Sequence, residues 1–275
     1  MSTGKTAAVN GITIAYDDEG DVGAPALVLV HGHPFDRSMW RPQIGGFAGE
    51  GLRVIAPDLR GYGRSTVSRG ITPLPVFAAD IAALMDHLGV PRALLAGLSM
   101  GGQIVMEFHR SYPGRVRGMV LADTTARAES PQGRWDRAMT ADRLLREGMD
   151  GYAAEVLNKM ISPANVAALP EVAAHVLAMM RGTAPQGAAA ALRGRAERPD
   201  YLGSLARATV PTLVIVGADD EYTPIAEARL MREHIPGATL TVIEGAAHLP
   251  NLERPADFDR ALGEFLSRAV PPTGG

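Results

Sequence analysis

Gly97-Leu98-Ser99-Met100-Gly101-Gly102 stands between the apolar run Arg92-Ala93-Leu94-Leu95-Ala96 and the segment Gln103-Ile104-Val105-Met106-Glu107-Phe108-His109. The run before it reads as a buried strand, and the segment after it carries its apolar residues on one helical face. A strand that passes straight into a helix turns sharply, so its apex residue is held in a strained backbone with the side chain pushed outward. Ser99 sits at that apex. Any Cβ at 97 or 101 would meet the neighbouring strand or helix, and Gly102 lets the helix start approach closely. The turn also leaves N–H groups of the helix N-terminus unpaired beside Ser99, where they suit an oxyanion. Ser99 is therefore the candidate nucleophile.

A chain of 275 residues and 29.0 kDa buries a full core and fits one large α/β domain, or such a core with a modest insertion. Net charge is −3, pI is near 6.2, and Lys and Arg do not cluster in sequence. That balance gives no electrostatic footprint for nucleic acid or an anionic membrane. Cysteine is absent, which excludes disulfides, thiolate catalysis and Cys-ligated zinc. The stretch Met1 to Asn10 lacks the apolar region of a secretory signal, and no run approaches the roughly 18 apolar residues of a membrane span. A cytoplasmic protein with a small-molecule partner is expected, and the tail Val270-Pro271-Pro272-Thr273-Gly274-Gly275 reads as a frayed end. Oligomeric state is not legible.

Short apolar runs at Leu27–Val30, Arg53–Ala56, Leu94–Ala96 and Met119–Ala122 read as strands, with a helix over Val76–Leu88 stopped by Gly89 and Pro91. Continuous hydrophobic runs mark strands buried on both faces, which predicts a doubly wound, mostly parallel sheet. From about Ala126 to Arg207 strand character disappears. Ala-, Met-, Leu- and Arg-rich helical segments, punctuated by Pro131, Pro163, Pro170, Pro185 and Pro199, fit four short helices there. Strands return at Pro211–Gly217 and Thr239–Ile243, followed by a closing helix over about Ala256–Ser267. The expected organisation is a core at 1–125, an inserted helical lid at 126–207 over the strands' C-terminal ends, and a second core part at 208–275.

A serine hydroxyl needs a base to remove its proton as attack develops. His248, in the small-residue loop Gly245-Ala246-Ala247-His248-Leu249-Pro250 after the strand ending at Ile243, is the candidate. A carboxylate must hold its tautomer and stabilise the imidazolium. Asp220, in Gly217-Ala218-Asp219-Asp220-Glu221-Tyr222-Thr223-Pro224, follows the preceding strand, and Asp123, after Met119–Ala122, is the other route. The chain order Ser99, Asp220, His248 differs from those of chymotrypsin and subtilisin and is the α/β-hydrolase order.

On these residues the chain resembles the α/β-hydrolase superfamily over nearly all its length apart from the lid. The likeness extends to His31-Gly32-His33-Pro34, to Asp58-Leu59-Arg60-Gly61-Tyr62-Gly63-Arg64-Ser65, and to the segments 217–224 and 245–255. The spacing from Gly217 through Asp220 to Pro224 resembles the family's G-x-x-D-x-x-x-P pattern and selects Asp220. Within the superfamily the chain is most similar to enol-lactone hydrolases, esterases and cofactor-free perhydrolases. That resemblance implies an α/β-hydrolase fold, no cofactor, and an oxyanion hole made by the backbone N–H groups of His33 and Met100. It implies hydrolysis of a carboxylic ester or lactone of a small to medium substrate. Thioester hydrolysis, peracid formation, carbon–carbon bond hydrolysis and amide cleavage remain open on the same machinery, as does a non-catalytic small-molecule receptor. Dehalogenases and epoxide hydrolases are disfavoured, because similar relatives carry aspartate where this chain has Ser99.

The remaining polar residues read more plainly. His31 structures its turn, while His87, His109, His175 and His234 are surface or packing residues. Arg60 and Arg64 brace their loop. No third ligand accompanies His31 and His33, so no metal is expected. Gly61-Tyr62-Gly63-Arg64-Ser65 lacks the full dinucleotide fingerprint. Met139, Met149, Met160, Met179 and Met180 read as lid core, with room for one or two to face substrate as well, and Arg127, Arg134, Arg137 and Arg143 read as a solvated helix face, with recognition of an anionic substrate as the alternative. Which of Trp135, Met139, Tyr152, Met160 and Met180 reach the cavity stays open.

Overall fold

The computed structural model describes residues 4–269, so the expectation for the tail from Val270 onward lies outside the described residues. Eight strands form one sheet: β1 (Lys5–Val9), β2 (Ile12–Glu19), β3 (Ala26–Val30), β4 (Arg53–Pro57), β5 (Ala93–Leu98), β6 (Val116–Ala122), β7 (Thr212–Gly217) and β8 (Thr239–Ile243). Their order is β1-β2-β4-β3-β5-β6-β7-β8. From β4 to β8 every pairing is parallel, whereas β1 and β2 pair antiparallel at the edge.

Helices α1 (Arg41–Ala48), α2 (Leu74–His87) and α3 (Met100–Ser111) alternate with the first strands. The helical block after β6 contains α4 (Pro131–Glu147), α5 (Asp150–Met160), α6 (Pro163–Ala168), α7 (Pro170–Gly182), α8 (Pro185–Ala196) and α9 (Leu202–Leu205). Then come α10 (Ile225–His234) between β7 and β8, and α11 (Pro250–Glu253) and α12 (Pro255–Ala269) at the end.

Both faces of the sheet are covered, which is why its strands read as unbroken apolar runs. Val28 and Val30 of β3 pack with α2 and α3, whereas Leu27 and Leu29 pack with α1 and α12. The strand pleat makes that division, sending successive side chains to opposite faces.

Two features depart from the sequence reading. The β1–β2 hairpin was not anticipated, although its turn is Asn10-Gly11, with φ of 46° and 75°. Asn-Gly between alternating residues is a strong short-range hairpin signal, because both positions need positive φ. The block between β6 and β7 holds six helices rather than four short ones, and α4 alone spans 17 residues. Pro131, Pro163, Pro170 and Pro185 each open a helix, where a missing N–H costs nothing. Reading them as breaks within a smaller number of helices undercounted the elements. No strand falls between Ala126 and Arg207, and side chains from α5 and α7 share a core cluster with the sheet.

Candidate active site

Ser99 adopts φ 58° and ψ −116° between the end of β5 and the first residue of α3. A non-glycine residue with positive φ is held there only by its surroundings. Ser99 N–H donates to Ala122 O (2.9 Å), and Thr124 Oγ1 donates to Ser99 O (2.7 Å). A Cβ on Gly97 would run into the Gly101 backbone, and one on Gly101 into the Val30 carbonyl of β3. At Gly102 a Cβ would lie 2.6 Å from Thr124 Cγ2. The glycines therefore let β5, α3 and their neighbours close around the apex.

His248 and Asp220 come from the loops after β8 and β7. Asp219 N–H donates to Ala246 O (2.9 Å) and Ala218 N–H to Ile243 O (2.9 Å), which ties the two loops together. Of the two adjacent aspartates, Asp219 is exposed and Asp220 is buried. Asp220 Oδ1 accepts the N–H groups of Tyr222 (2.8 Å) and Thr223 (3.1 Å). Its Oδ2 accepts the Thr223 hydroxyl and lies 2.8 Å from His248 Nδ1. Burial works against the charge, but His248 and the Thr223 donors outweigh it and hold the Asp220 carboxyl well below the usual range. An ionised carboxylate only accepts, so Nδ1 carries the ring proton and Nε2 is left as the acceptor.

Asp123 lies beside Asp220 with different hydrogen-bond partners. Its backbone has φ 45°, its Oδ1 accepts Gly217 N–H (2.8 Å), and its Oδ2 is buried without a partner. Ligand-type atoms of Asp123, Asp220 and His248 all lie within 4.8 Å of one another. Burial, then the nearby Asp220 charge, push the Asp123 carboxyl well above the ordinary aspartate range. Of the two carboxyls, Asp220 alone hydrogen-bonds His248.

The segment carrying His33 packs directly on the elbow: a Cβ at Gly32 would lie 3.0 Å from Leu98 O and 3.1 Å from Ser99 Cβ. Met100 is the first residue of α3, so its N–H belongs to the turn that has no intrahelical acceptor. His33 Nδ1 is 2.8 Å from the Tyr62 hydroxyl, and its Nε2 is buried without a partner. His31 sits behind it, with Nδ1–H donating to Gly32 O (2.8 Å) and Nε2 accepting Leu59 N–H (2.9 Å). Both ring nitrogens are thus engaged in shaping the turn, as the sequence suggested.

A cavity of about 120 Å³ brings Ser99, His248 and His33 together with Gln103, Tyr222 and Thr124. Helices α4, α5 and α8 close its other side with Arg137, Tyr152, Met160, Leu192 and Arg195. Tyr152 and Met160 therefore reach the cavity, whereas Met180 is core and Trp135 and Met139 are exposed. Among the four arginines read as a solvated face, Arg137 faces the cavity, while Arg143 pairs with Glu147 and Glu155.

Arg195 and Glu253 were not singled out from sequence. Arg195 stands in the last turn of a helix whose small residues Gly187 to Ala191 are buried, together with Arg193, and nothing local tells which of the two arginines turns inward. Glu253 accepts Ala247 N–H (2.8 Å), Ser162 N–H (2.9 Å) and Asn165 Nδ2 (2.7 Å), joining the His248 loop to the helical block. Nothing local marks that carboxylate.

No helix among the described residues is long and apolar enough to cross a membrane. The family model described as alpha/beta hydrolase fold matches residues 25–255. The chain is 30% identical over 264 residues to 3-oxoadipate enol-lactonase 2 of Acinetobacter baylyi, covering 96% of each chain. Among solved structures it is similar to a thermophilic esterase of Thermogutta terrifontis (37% identity, TM-score 0.92, 98% and 99% of the two chains). It is also similar to the enol-lactonase of Burkholderia xenovorans (30% identity, TM-score 0.89, 96% and 100% of the two chains). With this sheet order and these relatives, the chain belongs to the alpha/beta hydrolase family and is a hydrolase.

Proposed function

We propose that this hydrolase cleaves a carboxylic ester or lactone through an acyl-enzyme formed on Ser99, with His248 as base, Asp220 as its orienting acid, and residues 126–207 as a lid. The observation that carries the reading is the 2.8 Å contact of His248 Nδ1 with Asp220 Oδ2, in the wall of the cavity that Ser99 enters from its positive-φ turn.

The steps follow from the atoms available. Ser99 Oγ attacks the carbonyl carbon as its proton passes to His248 Nε2, and Asp220 stabilises the resulting imidazolium. The carbonyl oxygen, now anionic, takes hydrogen bonds from the N–H groups of His33 and Met100, each contributing about 2.7–4 kcal/mol to the transition state. Collapse expels the alcohol oxygen, which receives the proton from Nε2. A water then gives its proton to Nε2, attacks the acyl carbon, and the carboxylic acid leaves as Ser99 recovers its proton. A lactone differs only in that alcohol and acid leave as one molecule. The cavity volume supports a small substrate, since sites for drug-sized ligands run to about 300–1,000 Å³.

Hydrolysis of 4-nitrophenyl acetate and butanoate by wild type and Ser99→Ala tests the reading. The variant is expected to lose about 10⁴-fold or more in kcat/KM with an unchanged fold by circular dichroism. Equal turnover in both proteins discards the mechanism.

A further inference from the structure

The cavity holds charge that the hydrolytic steps do not use. Arg195, at the end of α8, is 8% exposed and lines the cavity with Ser99 and His248. Its Nε donates to Gln103 Oε1 (3.1 Å), a neutral amide, and no carboxylate among the described residues forms an ion pair with it. Arg137 lines the same cavity, with its Nε paired to Glu129. That single carboxylate also holds Arg198 Nη1 (2.6 Å). Two guanidinium groups, Arg137 and Arg198, thus share one acidic partner, and Arg195, the more buried of the two that face the cavity, has none. Burial, then Arg137 and Arg198, weaken the hold of Arg195 on its proton, while Arg195 and Arg137 add to burial in keeping the His33 ring neutral. A guanidinium remains charged in proteins, so its desolvation is offset only when an anion arrives.

We propose that Arg195, assisted by Arg137, binds a carboxylate carried by the substrate, so that the preferred substrate is an anionic ester or lactone rather than a neutral one. This rests on the reading that the cavity is where the ester is cleaved. Gln103 is the positioning residue: one turn after Ser99, it fixes the Arg195 fork relative to the nucleophile. The planar fork of donors suits a carboxylate in two-point contact.

A matched pair of ligands isolates the carboxylate: monoethyl succinate, and ethyl butanoate, in which a methyl group replaces it. Binding of each to Ser99→Ala is measured by calorimetry, with sodium acetate as the bare anion, and cleavage of each by wild type is followed by pH-stat. The half-ester is expected to bind about 10–100-fold more tightly than the neutral ester, with the same preference in kcat/KM expressed mainly through KM. Arg195→Gln should remove most of that preference, and Arg195→Lys should restore part of it. Equal binding of the two esters by the Ser99→Ala protein overturns the proposal without requiring any Arg195 variant to fold. Acetate binding as tightly as the half-ester assigns the site to a free anion and also overturns it. Cleavage surviving in Ser99→Ala would instead sink the nucleophile assignment, and the ligand preference would still be read from binding.

Discussion

The elbow between β5 and α3 and the helical block between β6 and β7 close the same cavity by opposite means. The elbow is made of backbone and small residues: Gly97, Gly101 and Gly102 allow contacts that no side chain fits, and no charge takes part. The helical block meets the cavity through Arg137 and Arg195, with Glu129 balancing Arg137 and Arg198 from behind. On the proposed reading, sterics set where the reacting alcohol stands, while charge on the opposite wall sets what is admitted. The first should respond to volume and not to salt, and the second to charge and pH.

The largest expected effect of this contrast is at Gly101. A methyl group in Gly101→Ala would run into the Val30 carbonyl, a backbone atom that cannot give way without moving β3. Overpacking of this kind costs about 3 kcal/mol or more, independent of ionic strength. Urea titration at low and high salt checks it; a near-neutral substitution would show the elbow to be softer than its geometry implies.

A smaller, charge-dependent effect is expected in the block. Burial opposes ionisation of Glu129, yet Arg137 and Arg198 overcome it and bring its carboxyl down to about 2. A lowered folded value contributes stability above the unfolded value near 4.5, and loses it as pH falls toward 2. Glu129→Gln should therefore destabilise by about 1–3 kcal/mol at pH 7, since the group is only partly screened, and by progressively less as pH falls below 4.5. Thermal melts across that range read the difference; one that persists undiminished at low pH would mean the arginines are held by something else.

The smallest effect lies at Asp123, where the chain leaves β6 for the block. Its folded value is raised above the ordinary 3.8, so its contribution is fully present below 3.8 and is lost as pH climbs through the raised value. Asn cannot ionise and keeps an oxygen for Gly217 N–H. Asp123→Asn should therefore gain stability relative to wild type in thermal melts as pH rises from 4 to 8, with hydrolysis retained. A fall in activity comparable to that of Asp220→Asn would transfer the acid role to Asp123.

The same contrast explains what could be read from sequence. The elbow, the parallel strands and the loops carrying Asp220 and His248 are specified by residues close together in the chain. The resemblance chose Asp220 over its neighbour; in the structure Asp219 is exposed, while Asp220 is buried against His248. The antiparallel edge was missed despite its Asn-Gly turn, and the helix count failed because prolines that open helices look like prolines that end them. Arg195 and Glu253 were illegible for another reason. Their partners Gln103, Ser162 and Asn165 meet them only after folding, 92, 91 and 88 residues away. An arginine's spacing alone does not say whether it faces water or a cavity.

The central claim is that the buried imidazole and its carboxylate make the Ser99 hydroxyl nucleophilic. Incubation with a fluorophosphonate, followed by mass spectrometry of the digested protein, tests it most directly. The account predicts one adduct, on the peptide containing Ser99, formed at least about 10³-fold more slowly in His248→Ala. An unmodified Ser99, or labelling at the same rate without His248, would contradict it.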